Sequence, residues 1–355
     1  MESRVGRNSY ISNFRKLRNA KKLPIAFLSS ILLFIVIQSI LLNSGAFWRF
    51  CYFWSNPGAD DGIRIEAQLR TVSATEEQGK IFLTGSSQTR EDFDVEYLNN
   101  QFSKEQVVFY NLGISGAAHP IEMYMLKEEL LSKDPDIIIY VPFVASFYTD
   151  CDFSKIKYYF DPIIIPRIIE YEGMQNIISQ RVYLEDSFLG KAFFTYKYRE
   201  SLDRILENAV KNYLNIEKRT EPQIYGYTDN KPESYFEDEI KKANKNKYYV
   251  SQYTELNEEL FILFAKDVVS EGVKLIVISG PTHPLIKLCY SEELDIAYNN
   301  FITEQASKIG FTYLREDQLP SFTAEDFIDF THLNAQGRSK MSRFLEIYLE
   351  ENNLP

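Results

Sequence analysis

The sequence predicts an α/β protein: a doubly wound parallel sheet with a helical insert, preceded by one N-terminal transmembrane helix. Three observations lead there. Short β-rich apolar runs alternate with amphipathic stretches from about residue 79 to 351, one uninterrupted apolar run precedes them, and a long aromatic and lysine-rich stretch, about 150–248, interrupts them. Strand, helix, strand in repetition means a parallel sheet covered by helices, because parallel neighbours need crossover connections.

Taken from the N-terminus, residues 1–22 carry seven basic side chains and one acid, Glu2, and form a basic tail. Residues 23–48, LPIAFLSSILLFIVIQSILLNSGAFW, hold no ionisable side chain. A run of that length spans a hydrocarbon core of about 30 Å. A buried core helix this long would show a polar stripe, and the apolar part of a secretory signal runs to about 7–15 residues with a small-residue cleavage site. Ser44-Gly45-Ala46 matches such a site only weakly. The run therefore reads as an uncleaved anchor. Basic residues before it keep the N-terminus cytoplasmic and send the remainder across the membrane. Trp48, Tyr52, Phe53 and Trp54 read as an interfacial aromatic belt or as packing of a short stalk, residues 49–78.

Strands are expected at Lys80–Thr84, Val107–Asn111, Asp136–Val141, Val273–Ser279 and Phe311–Leu314, each a short apolar run bounded by charged residues, Gly or Pro. Helices are expected at Ile121–Ser132, Glu255–Glu271, Glu292–Lys308 and Ala335–Glu351. Within the insert, helical patterns lie near Pro162–Arg181 and Gly190–Leu214, followed by a polar loop near Asn215–Pro232. Loops of this length usually have a function or structure of their own, so the insert is expected near the site.

Composition excludes several functions. The net charge of −11 divides into +6 on the tail and −17 on everything after it. An acidic body argues against nucleic acid, whose binding draws on clustered Lys and Arg. The three cysteines, Cys51, Cys151 and Cys289, are too few and scattered for a disulfide scaffold or a zinc site. Cys151 and Cys289 read as buried thiols, with a disulfide between them as the alternative outside the cytoplasm. No cofactor or metal is expected.

Ligand sites in open α/β sheets lie at the carboxyl ends of the strands. Gly85-Ser86-Ser87 follows the first strand and offers either a helix cap or a nucleophile. NLGISGAAH, residues 111–119, follows the second; its glycines allow close backbone approach and suit an oxyanion site, or simply pack helix on strand. DFTHLNAQG, residues 329–337, precedes the last helix, and Asp329 and His332 are spaced so that the carboxylate can meet imidazole Nδ1. The other two histidines, His119 and His283, also fall in carboxyl-end loops, as substrate contacts or as ordinary polar loop residues; their spacing matches no metal motif. Arg90 either binds an anionic group or solvates the first helix, solvation being preferred.

Together these blocks resemble the SGNH (GDSL-like) hydrolase and acyltransferase superfamily, over roughly residues 79–351 outside the insert. The resemblance implies a flavodoxin-like sheet, Ser87 as nucleophile, Asp329 and His332 as its partners, and backbone N–H groups of Ser87 and Gly116 as the oxyanion hole. One block departs: the family's Asn after the third strand is replaced here by a stretch in which Ala145 is nearest, leaving Ser146 and the loop Ser279–His283 as candidate donors. The double serine, the single span and the HLN ending look more like membrane-anchored envelope members, such as alginate O-acetylation and teichoic-acid D-alanylation proteins. The resemblance thus implies a single-pass, extracytoplasmic serine esterase or O-acyltransferase acting on envelope glycan or lipid, with the bilayer and a membrane acyl-transfer protein as partners. The alternative is an inactive SGNH-like scaffold or polysaccharide-binding protein, to which the missing Asn and the aromatic insert (Tyr158, Tyr159, Phe160, Phe193, Phe194, Tyr196, Tyr198) would lend themselves.

Overall fold

The computed structural model describes residues 25, 27–72, 79–116, 119–148, 193–227, 229–245, 254–289 and 292–354. Its helices, in chain order, are α1 (Phe27–Leu42), α2 (Gly45–Trp54), α3 (Asp61–Val72), α4 (Ser87–Asp92), α5 (Val95–Gln101), α6 (Pro120–Leu131), α7 (Arg199–Tyr213), α8 (Glu233–Lys245), α9 (Thr254–Ser270), α10 (Glu292–Ile309) and α11 (Ala335–Glu351). The strands are β1 (Gly79–Gly85), β2 (Val107–Gly113), β3 (Ile137–Val141), β4 (Lys274–Ile278) and β5 (Thr312–Leu314).

All five strands run parallel, in the order β2-β1-β3-β4-β5, which is consistent with a doubly wound sheet. Side chains alternate faces along each strand, and two separate cores result. Phe82, Ile138, Tyr140, Leu275 and Val277 pack against α3, α6, α9 and α10 through residues such as Leu69, Leu126, Phe264 and Tyr298. Ile81, Leu83, Ile137, Ile139 and Ile276 pack on the other face against α5 and α11 through Leu98, Met341, Leu345 and Leu349. Burial on both faces explains why β3 reads Ile-Ile-Ile-Tyr-Val, with no polar alternation.

The N-terminal region departs from expectation twice. The apolar run is divided: α1 and α2 meet at 75°, and among the described residues no single helix is long and apolar enough to cross a membrane. The break is local capping chemistry. The Asn43 side chain donates to Ser39 O, and the Ser44 hydroxyl accepts the Phe47 N–H at 3.2 Å, so one helix ends and the next begins. Apolar side chains of α1, among them Phe27, Leu32, Leu33 and Ile40, remain exposed. Second, the expected stalk, residues 49–78, holds the end of α2 and all of α3. Ile65, Leu69 and Val72 of α3 belong to the sheet's own core, while Ile63 and Ala67 join Trp48 and Cys51 of α2, Ile205 of α7 and Tyr198 just before it in a smaller one.

In the insert, the pattern at Pro162–Arg181 lies outside the described residues, as does Cys151. The pattern at Gly190–Leu214 forms a single turn, Phe194–Lys197, and α7. Residues 215–227 and 229–232 are irregular, as expected, but α8 follows them unforeseen.

Candidate active site

The order β2-β1-β3 puts β1 where the connections diverge to opposite sides of the sheet, the point at which a crevice opens beyond the strand ends. Gly85 closes β1 at φ +128°, and a Cβ there would stand 2.3 Å from Val141 O of β3, so only glycine fits. Ser86 N–H then donates to Val141 O, and the Ser86 hydroxyl accepts the Gln88 N–H at 3.2 Å. The first serine is therefore the helix cap, and the second, Ser87, opens α4 half-exposed. The cap reading of the Gly-Ser-Ser block thus falls to Ser86 and leaves the Ser87 hydroxyl outside that role.

Ser87 Oγ lies 2.7 Å from His332 Nε2. On the other side of the ring, Nδ1 lies 2.8 and 2.9 Å from the two oxygens of Asp329. Asp329 Oδ1 also accepts the N–H groups of Thr331, at 2.9 Å, and His332, at 3.0 Å. Burial works against the Asp329 charge, but the hydrogen bonds from His332 and Thr331 outweigh it and hold the carboxyl below the usual carboxylate range. The loop is itself pinned: Ile328 N–H donates to His332 O, Phe327 bridges Leu333, and Asn334 caps α11 with its side chain. Gly337 is required because a Cβ there would stand 2.4 Å from Asp326 O.

The turn after β2 is anchored from below. Gly113 presses on α4, where a Cβ would meet Arg90 N at 2.6 Å. Arg64 donates to Gly113 O at 2.6 Å, Ser115 N–H donates to Asp61 Oδ2 at 2.7 Å, and Gly116 takes φ +78°. The register pairs Gly85 with Gly113, so Ser87 and Gly116 follow neighbouring strand ends.

Four side chains weighed as substrate contacts have other partners. Arg90 is 2% exposed, not a solvating residue. Its guanidinium contacts Asp61 and the Ser115 hydroxyl and bonds Glu91 at 2.6–2.8 Å. Burial opposes the Asp61 charge too, but Arg64 and Arg90 prevail and hold its carboxyl low. The Ser146 hydroxyl donates to Phe143 O at 2.6 Å within its own turn, beside buried Ala145. His119 is buried at the start of α6, its backbone N–H donating to Glu122 at 2.8 Å and its ring Nδ1 4.0 Å from the same carboxylate. His283 is buried, stacks on Phe236 at 4.6 Å, and accepts the Leu285 N–H on Nδ1; burial holds its imidazole pKa down. It packs against the His332 loop, with Phe327 and Phe330 edge-on to its ring.

Sequence reasoning missed Tyr227. Its ring lies on the His332 imidazole with centroids 4.7 Å apart. The strap bearing it is tied down by Gly226 N–H to Glu91 at 2.8 Å, by the Arg338 guanidinium 3.3 Å above the Tyr225 ring, and by Lys231 N–H to Ile328 O. Within a polar loop, the two tyrosines of Gln-Ile-Tyr-Gly-Tyr were the signal, and they name no partner.

An α/β protein with a serine, a histidine and an aspartate in hydrogen-bonded sequence at the carboxyl end of a parallel sheet is what fold and site define together. Beyond that class, no protein-family model and no curated protein matches this chain. Among the described residues no group of three or more His, Cys, Asp or Glu could hold a metal ion, and Cys51 and Cys289 are free thiols.

Proposed function

We propose that the protein is an SGNH-type serine esterase or O-acyltransferase, anchored in the cell membrane with its α/β domain outside, that acts on acyl groups of envelope glycan or lipid. One observation bears most of the weight: Ser87 Oγ is 2.7 Å from His332 Nε2, with Asp329 on the opposite ring nitrogen. The motif blocks at Gly85-Ser86-Ser87, Gly116 and Asp329–His332 support the superfamily, and the parallel sheet is the one it needs. The scaffold alternative requires a disassembled array or a filled crevice, and the Ser87–His332 distance weighs against it.

In the reaction, His332 Nε2 takes the Ser87 hydroxyl proton as Oγ bonds to the ester carbonyl carbon. Negative charge on the carbonyl oxygen is met by the backbone N–H groups of Ser87 and Gly116. His332 returns its proton to the departing alcohol, leaving acyl-Ser87. Water, or a sugar hydroxyl, then gives its proton to His332 and bonds to the acyl carbon; as the Ser87 Oγ–carbon bond breaks, His332 passes the proton to Oγ and the site is restored. Without the family's Asn the site forgoes a donor of a kind whose removal costs about 2.7–4 kcal/mol of transition-state stabilisation. A strap over His332 limits water and so favours transfer over hydrolysis.

Anchoring is supported by the basic tail, by the exposed apolar side chains of α1, and by the aromatic α2, whose 75° turn suits a helix lying in the interfacial plane. Partners on this reading are the bilayer, an acylated or acceptor glycan or lipid, and a membrane acyl-transfer protein. The test is acyl-group analysis of envelope polymers from a deletion strain complemented with wild type or Ser87→Ala. Ester content should be altered by the deletion and restored by wild type alone; restoration by Ser87→Ala would overturn the assignment.

A further inference from the structure

We propose that Asp92 is a positioning residue that ties the His332 loop to the helix bearing Ser87, and that it works as a neutral acceptor, not as a charge; the inference deepens the catalytic reading above. Ser87 and Asp92 are the first and last residues of α4. Ser87 meets His332, and Asp92 Oδ1 accepts the N–H of the very next residue, Leu333, at 2.9 Å. Two adjacent residues of the loop are therefore held by the two ends of one short, rigid element. Removing the second hold leaves the backbone beside the imidazole unpaired, and Asp329, which rides on the same loop, would move with it while Ser87 and Tyr227 stay behind.

The surroundings argue for an uncharged carboxyl. Asp92 is 0% exposed, and its Oδ2 has no hydrogen-bond partner among the described residues. The ionisable groups facing it are Glu91 and Asp329, both acidic, and Arg338. That one cation is already engaged, its Nε on Glu91 O at 2.5 Å and its plane over Tyr225. Burial, with Glu91 and Asp329 adding to it, holds the Asp92 carboxyl well above its ordinary range. A second full negative charge beside Asp329 would also compete for the imidazolium that forms during the reaction. What the loop needs from position 92 is one oxygen at one place, since a buried N–H left unpaired is costly.

The experiment compares Asp92→Asn, which keeps the acceptor and the volume without a charge, with Asp92→Leu, which keeps the volume alone. The full chain in detergent is assayed with p-nitrophenyl acetate, and Leu333 amide hydrogen exchange is followed separately. Asp92→Asn should stay within about threefold of wild type in kcat with an unchanged pH profile. Asp92→Leu should lose on the order of 10²-fold in kcat with KM nearly constant, the scale of an ångström-sized misplacement, and Leu333 should exchange faster in it alone. A folded Asp92→Asn as impaired as Asp92→Leu, or an Asp92→Leu with wild-type kcat and Leu333 protection, overturns the proposal. If Asp92→Leu does not fold, Asp92→Asn decides alone by the same kcat and exchange criteria. A wild type that never turns over ester refutes the catalytic reading instead, while Leu333 exchange still tests the tether.

Discussion

His332 is held on three sides: by Ser87 at 2.7 Å, by Asp329 at 2.8 Å and by the Tyr227 ring. Asp329 matters as orienter, so Asp329→Asn should leave the fold intact and lower ester turnover by about 10⁴-fold, because an amide favours the wrong imidazole tautomer. The same carboxyl also has a pH signature. Its folded pKa is depressed, so the stability it contributes is present above the ordinary Asp value of about 3.9 and is lost as pH falls through the lower folded value. Urea midpoints of wild type and Asp329→Asn should therefore separate above about pH 5 and draw together as pH falls below the ordinary Asp value; a gap that widens toward acid would contradict this. At this scale the site was largely legible. Ser87, Asp329 and His332 announce themselves because each sits in a short motif beside a strand or helix end. Tyr227 and Asp92 did not, since their partners lie about a hundred residues or more away in sequence and neither has a local pattern to betray it.

Among elements, α4 is where the folding and the chemistry meet. It joins β1 to the His332 loop, and through Arg90 it reaches α3, the Ser115 turn and the Gly226 strap. Arg90 thus braces the elements around Ser87 from a buried position. Arg90→Met should cost about 3–5 kcal/mol in urea unfolding, because buried Glu91 would lose its close ion pair and Asp61 one of its two arginines; a loss below 1 kcal/mol would show the network to be incidental. The five strands were readable from apolar runs, and α6, α9, α10 and α11 from their periodicity. By contrast, α3 was taken for stalk. Its sequence DGIRIEAQLRTV sets Ile63 and Ile65 on opposite sides and buries Arg64 between them, so no single apolar stripe exists to be read. The division of the apolar run likewise depends on three residues, Asn43, Ser44 and Gly45, that are harmless to hydropathy yet decisive for capping.

For the whole molecule, the charge division and the two cores describe one arrangement. A basic tail and an apolar α1 lead into a small aromatic core of α2, α3 and α7, which borders the sheet domain through α3. If α1 lies in the membrane-inserted segment, the full chain should float with lipid vesicles, and a form lacking residues 1–36 should not, with ester turnover retained in both. Flotation of the shortened form would shift the anchoring to α2 and α7. On the proposed reading acyl groups pass through Ser87, which peptide mass analysis of the full chain quenched during reaction with p-nitrophenyl acetate would reveal. One acetyl group is expected on the peptide containing Ser87, absent in Ser87→Ala and much reduced in His332→Ala. Acetylation unchanged by Ser87→Ala, or none on Ser87 while ester is consumed, would contradict it.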